Sequence, residues 1–361
     1  MSSPAAEALG IAVAARVPVL LWGAPGTGKT SAIRAMAQAM GLPCETVIAS
    51  IREPSDFAGL PVVTGNSVRF APPLWAIRLA EAGTGLLFLD ELSTAPPAVQ
   101  AALLRVVLER TVGDLALPAD VAVVAAANPP EQAADGWDLS APLANRLCHL
   151  AWDASPASIA EGLAGGWAPP VVPLLPDGWD AEELAMKGIV AAFLRVRPAL
   201  AVAPPVSAAD AGRGWPSPRT WEMAARLLGA ADQAGASWEV RSALVRGAVG
   251  DGAGTEFLAW LTEMDLPDPE EVLADPGKFR LPERDDRAYA ALASIAAAVA
   301  ARPTPERWCA GWRVLGQCPR ADVAAVAARV LAKCRPDGLT ELPPEIRQFA
   351  PLLREAGMLG A

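Results

Sequence analysis

The sequence predicts an α/β fold: a parallel sheet sandwiched between helices, followed by a wholly helical C-terminal half. Three observations predict it. The runs VPVLLW (17–22), LLFLDE (86–91) and VAVVAAAN (121–128) are short, apolar and bounded by turn residues, as in strands buried on both faces of a parallel sheet. Segments of helical period lie between them, the alternation from which parallel sheets are built. Beyond about residue 155 the strand-like runs cease and helical periodicity takes over.

Taken in order, residues 1–16 predict an Ala-rich helix and 17–22 the first strand. SAIRAMAQAM (31–40) is helical and ETVIAS (45–50) is a second strand. PVVTGNSVRF (61–70) places two β runs around Thr-Gly-Asn-Ser, a hairpin signal. PLWAIRLAEAG is helical, and LLFLDE is the third strand. Residues 96–109 carry Val99, Leu103, Val106 and Val107 at helical spacing. A second hairpin is expected over 111–123, leading into the fourth strand at 121–128. AGGWAPPVVPLLPDGW (164–179) has the Pro/Gly/Trp texture of a linker. Helices are then predicted at 181–196, 219–234, 238–249 and 255–263, with 265–283 interrupting. The last set covers 285–301, 305–316, 320–334 and 343–357, and no repeat recurs at a fixed period.

A chain of 361 residues exceeds what one core usually fills, so two or three subdomains are expected. With 52% hydrophobic and 19% charged residues it is globular. A net charge of -10 disfavours broad binding to nucleic acid or to an anionic membrane. The five cysteines form no CxxC pair and suit reduced, buried thiols. A single histidine, His149, cannot build a His-rich metal site. No run reaches the roughly 18 apolar residues of a membrane helix, and no basic leader opens the chain. A cytoplasmic location is expected.

GAPGTGKT (23–30) matches GxxxxGK[ST] in full, after a strand and before a helix. In that context Gly23, Ala24, Pro25, Gly26, Thr27 and Gly28 form a loop whose backbone N–H groups converge on phosphate. The new helix adds its positive N-terminus. Lys29 reaches the β- and γ-phosphates of ATP, and Thr30 offers its hydroxyl to Mg²⁺. LLFLDE then supplies the answering acids. Asp90 would stand beside Thr30 on the metal, and Glu91 would orient and deprotonate the attacking water. Asn128, ending the next strand in AAANPP, can bond both γ-phosphate and water. Lys29, Asp90, Glu91 and Asn128 would converge beyond strand carboxyl ends, where open α/β sheets bind ligands.

At this point the chain resembles the AAA+ ATPases, within them the MoxR and dynein-related branch. The resembling pieces are GAPGTGKT, SIREPSDFAGLPVV, LLFLDELSTAPPAVQAALLRVVLER, AAANPP, LANRL and SPRTWE, between residues 17 and about 230. The resemblance implies a P-loop NTPase core over 1–155, an αβα sandwich. A linker at 156–180, an all-helical lid at 181–265 and extra C-terminal helices at 266–361 would follow it. It also implies that Arg146 in LANRL reaches the nucleotide of a neighbouring subunit, and that Arg219 in SPRT grips the nucleotide of its own. Arg105 and Arg110 are weaker candidates for the interface. A surface arginine is the plain alternative at each of these positions. The hairpins would line a pore or an upper face.

The expected activity is Mg²⁺-dependent ATP hydrolysis by a homo-oligomer, a hexameric ring, that remodels a protein partner bearing a von Willebrand factor A domain. A nucleic-acid motor is the alternative of another class. The hairpins argue against it, since 61–70 offers only Arg69 while 111–123 carries Asp114 and Asp120. A nucleotide-gated scaffold with slow hydrolysis is a third reading, and a small-molecule kinase a fourth.

Overall fold

The computed structural model describes residues 3–129, 132, 137–337, 339 and 342–358. The chain enters through α1 (Pro4–Ala14), where Ser3 Oγ caps the Ala6 N–H and Pro4 presets the first turn. β1 (Val19–Trp22), α2 (Lys29–Ala39), β2 (Cys44–Ile48) and α3 (Ser55–Ala58) follow. Next come β3 (Leu60–Thr64), β4 (Ser67–Ala71), α4 (Leu74–Ala82), β5 (Thr84–Asp90) and α5 (Pro97–Glu109). The first half closes with β6 (Thr111–Val112), β7 (Leu115–Ala116), β8 (Asp120–Ala127), α6 (Ala141–Ala144) and β9 (Cys148–Ala151).

Among the described residues five strands form one sheet in the order β2-β5-β8-β1-β9, every neighbouring pair parallel. The period of two explains why its strands read as unbroken apolar runs. Leu86 and Phe88 of β5 enter one core, while Leu87 and Leu89 enter the other. α1 and α2 cover the first face, and α4 and α5 cover the second with Trp75, Leu79, Val99 and Leu103. The expected α/β sandwich is therefore present.

The helical half contains α7 (Pro156–Gly165), α8 (Asp180–Val196), α9 (Ala208–Ala211), α10 (Pro218–Gln233), α11 (Trp238–Val249) and α12 (Asp251–Thr262). It ends with α13 (Pro269–Ala274), α14 (Asp285–Ala301), α15 (Pro305–Leu315), α16 (Ala321–Lys333) and α17 (Ile346–Glu355). The first core runs without a break from the sheet through α1 into these helices. α11 packs on both α1 and β9, and α8 packs between α10 and α14. Arg226 of α10 donates from Nε to the Ala15 carbonyl at 2.6 Å, capping the carboxyl end of α1, and pairs with Glu183 of α8. Among the described residues no helix is long and apolar enough to cross a membrane.

The sequence expectation lacks α3, α9 and α13, the last of which lies inside the stretch 265–283 expected to interrupt the helices, and four further features differ from it. The sheet gains β9, a four-residue edge strand paired only with β1. The second hairpin closes at Ala116 rather than at 123, because Asp120 onward joins the central sheet as β8. Residues 156–165, expected within the linker, form α7, started by a Ser155 cap and Pro156. The helix after the phosphate loop begins at Lys29 instead of residue 31, which places Lys29 and Thr30 in its first turn. The two hairpins also lock together. Asp114 Oδ2 accepts from the Phe70 N–H at 2.8 Å and the Asp114 N–H donates to the Phe70 carbonyl at 3.0 Å. Asp114 is thus a structural clamp, so its charge carries less of the case against nucleic acid than its position suggests.

Candidate functional site

Sheet order builds the site. β1, β8 and β5 are adjacent and parallel, so their carboxyl ends deliver Gly23, Asn128 and Asp90 to one edge of the molecule. The loop from Gly23 turns back over β1 before α2 begins. Gly23 has no room for a side chain, since a Cβ there would lie 2.4 Å from the Trp152 carbonyl oxygen. Gly28 starts α2 at φ +83°, a left-handed conformation natural to glycine, and puts no side chain over the first N–H groups. With no acidic residue in its first turn either, α2 presents bare N–H donors and its positive pole to an anion. Thr27 Oγ1 donates to the Ala24 carbonyl at 2.8 Å and Trp152 Nε1 donates to the Thr27 carbonyl at 3.2 Å, which fixes the loop from both sides.

Lys29 is buried and lies across this loop. Its Nζ donates to the carbonyls of Gly23 (2.6 Å) and Ala24 (3.0 Å) and to Asn128 Oδ1 (3.1 Å). Burial lowers its pKa from the ordinary lysine value, and the Asp90 carboxylate partly offsets that. Thr30 Oγ1 donates to Asp90 Oδ2 at 2.9 Å. This pairing supplies hard oxygen ligands of the type Mg²⁺ takes, and leaves other coordination positions to phosphate and water. Among the described residues no group of three or more His, Cys, Asp or Glu side chains gathers to hold a metal. Magnesium shared between these two oxygens and a nucleotide therefore fits this donor set better than a metal held by protein alone.

Glu91 takes a left-handed backbone, φ 56°, uncommon outside glycine. The turn ends the strand, and the Glu91 carboxylate accepts a short hydrogen bond from Ser50 Oγ just beyond β2. Asp90 Oδ1 accepts from the Glu91 N–H at 3.0 Å, and Glu91's own carbonyl accepts from Thr94 Oγ1 at 2.9 Å. The two neighbouring acids thus face different partners. Ser93 Oγ donates to the Asn128 carbonyl at 3.2 Å and ties the ends of β5 and β8 together. The sequence reading gave Ser50 no role, although it opens the resembling piece SIREPSDFAGLPVV and stands two residues beyond a strand that pairs with β5.

Arg146 and Arg219 form a second group. Asn145 Oδ1 accepts from Arg219 Nη1 at 3.4 Å, and the Arg146 guanidinium donates to the Pro142 carbonyl. Burial first and then the charge of Arg219 lower the pKa of Arg146, so the two guanidiniums are near enough to repel. Among the described residues no hydrogen bond joins either arginine to the loop of Lys29. Arg105 is exposed and pairs with Glu109 at 3.0 Å. Arg110 lies at the opposite end of the sheet: it donates to the Val121 carbonyl at the amino end of β8, beside Arg16 and Asp120. Burial there, then Arg16, lowers its pKa, and its guanidinium serves a strand end far from the phosphate loop.

Residues 18–146 match the model of the ATPase family associated with various cellular activities (AAA). That segment holds the phosphate loop, Asp90, Glu91, Asn128 and Arg146, and it is similar to AAA ATPase domains; Arg219 and the later helices lie outside it. Among solved structures the chain is similar to a candidate ATPase from Cytophaga hutchinsonii, at 18% identity over 72% of this chain and 88% of that one, with a TM-score of 0.48. No curated protein matches the chain.

Proposed function

We propose that the chain is a Mg²⁺-dependent ATPase, converting ATP and water to ADP and phosphate. In this reading it works in the cytoplasm as a MoxR-like hexameric ring that remodels a protein partner carrying a von Willebrand factor A domain. One observation carries the enzymatic part: Thr30 to Asp90 and Lys29 to Asn128 are joined at the adjacent carboxyl ends of β5 and β8, against the bare N-terminus of α2. The ring and the partner rest on the sequence resemblance.

In this reading the loop N–H groups and Lys29 hold the phosphate chain, and Thr30 and Asp90 hold the metal. Magnesium bound there would screen the charge of the phosphates. Glu91, turned away from Asp90 by its left-handed backbone, aligns the water and accepts its proton, while Ser50 fixes where that carboxylate stands. The Asn128 amide, held by Lys29 at 3.1 Å, would bond the γ-phosphate and the attacking water. Arg219 grips the nucleotide of its own subunit and Arg146 that of a neighbour. An anion brought to either one relieves the repulsion between them.

A Glu91→Gln variant tests the assignment. It should bind ATP within about twofold of wild type and turn over roughly 100-fold more slowly, because an amide cannot take the proton. Turnover near wild type would remove Glu91 as the base. Light scattering of the same variant with ATP should report a hexamer, and monomer alone would reject the ring.

A further inference from the structure

The turn that carries Arg146 is fastened to the rest of the molecule by a neighbouring residue with no role so far. Asn145 is only 3% exposed, and its amide is used at both ends. Nδ2 donates to the Trp215 carbonyl at 3.1 Å, and Oδ1 accepts from Ser217 Oγ at 2.8 Å as well as from Arg219. Ser217 is the cap of α10, closing a reciprocal capping box with Thr220, and Arg219 stands in the first turn behind it. One side chain, 70 or more residues away in sequence, therefore anchors the start of α10.

The same turn is tied to the phosphate loop on its other side. His149 Nε2 donates to the Ala144 carbonyl at 2.9 Å, and its Nδ1 accepts from Trp22 Nε1 at 2.9 Å. Trp22 is the last residue before the loop, and the Arg213 guanidinium lies 3.8 Å from the centre of its ring. Packing alone does not call for an amide here: burying one costs free energy that an apolar side chain of similar size would not incur. What the amide adds is direction, since its bonds set where the backbone at 215 and the cap at 217 stand relative to residue 146.

We propose that Asn145 is a positioning residue that holds Arg146 and Arg219 in one frame, so that the grip of α10 on its own nucleotide and the reach of Arg146 toward a neighbour change together. The inference rests on the roles proposed above for the two arginines. Without Asn145, the Trp215 carbonyl keeps Thr220 Oγ1 and the Ser217 hydroxyl keeps the capping box, but the first turn of α10 loses these bonds to the turn of Arg146.

The test measures affinity for fluorescently labelled ATP in the full-length wild type, Asn145→Ala, Arg219→Ala and the double variant. Turnover at saturating ATP is measured in wild type, Asn145→Ala and Arg146→Ala. Asn145→Ala should weaken ATP binding about fivefold on its own and less than about twofold once Arg219 is gone, the non-additivity of residues acting as one unit. Its turnover at saturating ATP should fall roughly tenfold, toward that of Arg146→Ala. Affinity losses that multiply, or an unchanged turnover at saturation, would overturn the proposal. If Arg146→Ala and Arg219→Ala themselves behave as wild type, the assigned arginine roles fail instead, a separate result. Should Asn145→Ala not fold, Asn145→Asp keeps the size and the oxygen toward Ser217 and Arg219, but it turns an acceptor on the Trp215 carbonyl and sets a carboxylate against Arg219. It should weaken ATP binding at least as much as Asn145→Ala, about fivefold; binding within about twofold of wild type would overturn the proposal.

Discussion

The carboxyl edge of the sheet and the C-terminal helices are packed by different means. At the sheet edge, partly buried polar atoms answer one another: Lys29 with Asn128, Thr30 with Asp90, Ser93 with the Asn128 carbonyl. In the last helices the space is filled by rings. Trp308 and Trp312 meet edge to face at 5.8 Å, and Phe349 stands 5.8 Å from Trp312. Buried polar groups contribute little net stability but fix geometry, whereas buried rings contribute stability with no chemistry. The first region should therefore lose activity when altered, and the second should lose folding.

Lys29→Ala is the hardest blow to the first region. It removes a charge that three oxygens surround and that the proposed substrate's phosphates would take over. Turnover should fall by roughly 100-fold or more, with ATP affinity falling too, while the midpoint of denaturant unfolding stays close to wild type. A large loss of stability would mean that the lysine holds the loop together rather than serving phosphate.

This contrast also marks how far the sequence could be read. Gly23 to Thr30 and Asp90 were legible because each sits in one contiguous strand-turn segment whose local pattern dictates where it points. β9 was not legible: CHLA is four residues long, contains the only histidine and pairs along one edge. α7 hid inside a Pro- and Gly-dense stretch, although Ser155-Pro156 is a helix start signal. Ser50 and Asn145 lie inside the resembling pieces SIREPSDFAGLPVV and LANRL, but what they touch is not written there. Their partners lie 41 and 70 or more residues away, and only the folded sheet and α10 bring them together. Arg110 shows the same limit in reverse: its place after α5 is plain in the sequence, but its burial beside Val121 is not.

Trp308→Ala probes the second region. The ring is 2% exposed and its Nε1 donates to the Leu331 carbonyl at 2.7 Å, so truncation leaves a cavity and a carbonyl whose remaining partner is the Cys334 thiol at 3.6 Å. Stability should fall by about 3–5 kcal/mol, read from the denaturant midpoint at unchanged slope. ATP turnover per folded molecule, measured at low temperature, should stay within about twofold of wild type. A collapse of turnover without loss of stability would erase the distinction between the two regions.

The smallest effect comes from the residue that joins the two kinds of packing. His149 accepts from the Trp22 indole at Nδ1, so a second ring proton would have to point at another N–H. Burial lowers its pKa from 6.5 to about 4; the hydrogen bond to the Ala144 carbonyl favours the protonated form, and the nearby Arg213 opposes it. The folded pKa lies below the unfolded one, so between these values the unfolded chain binds more protons. The stabilisation is thus complete above pH 6.5 and is lost as pH falls toward 4, a difference of up to about 3 kcal/mol. Thermal melts of wild type and His149→Gln across that range would show it. The wild-type curve should drop more steeply on acidification, because the glutamine has no proton to gain. Parallel curves would mean that folding leaves the ring's hold on its proton unchanged, and that the Trp22–His149–Ala144 link does not hold it neutral as its geometry describes.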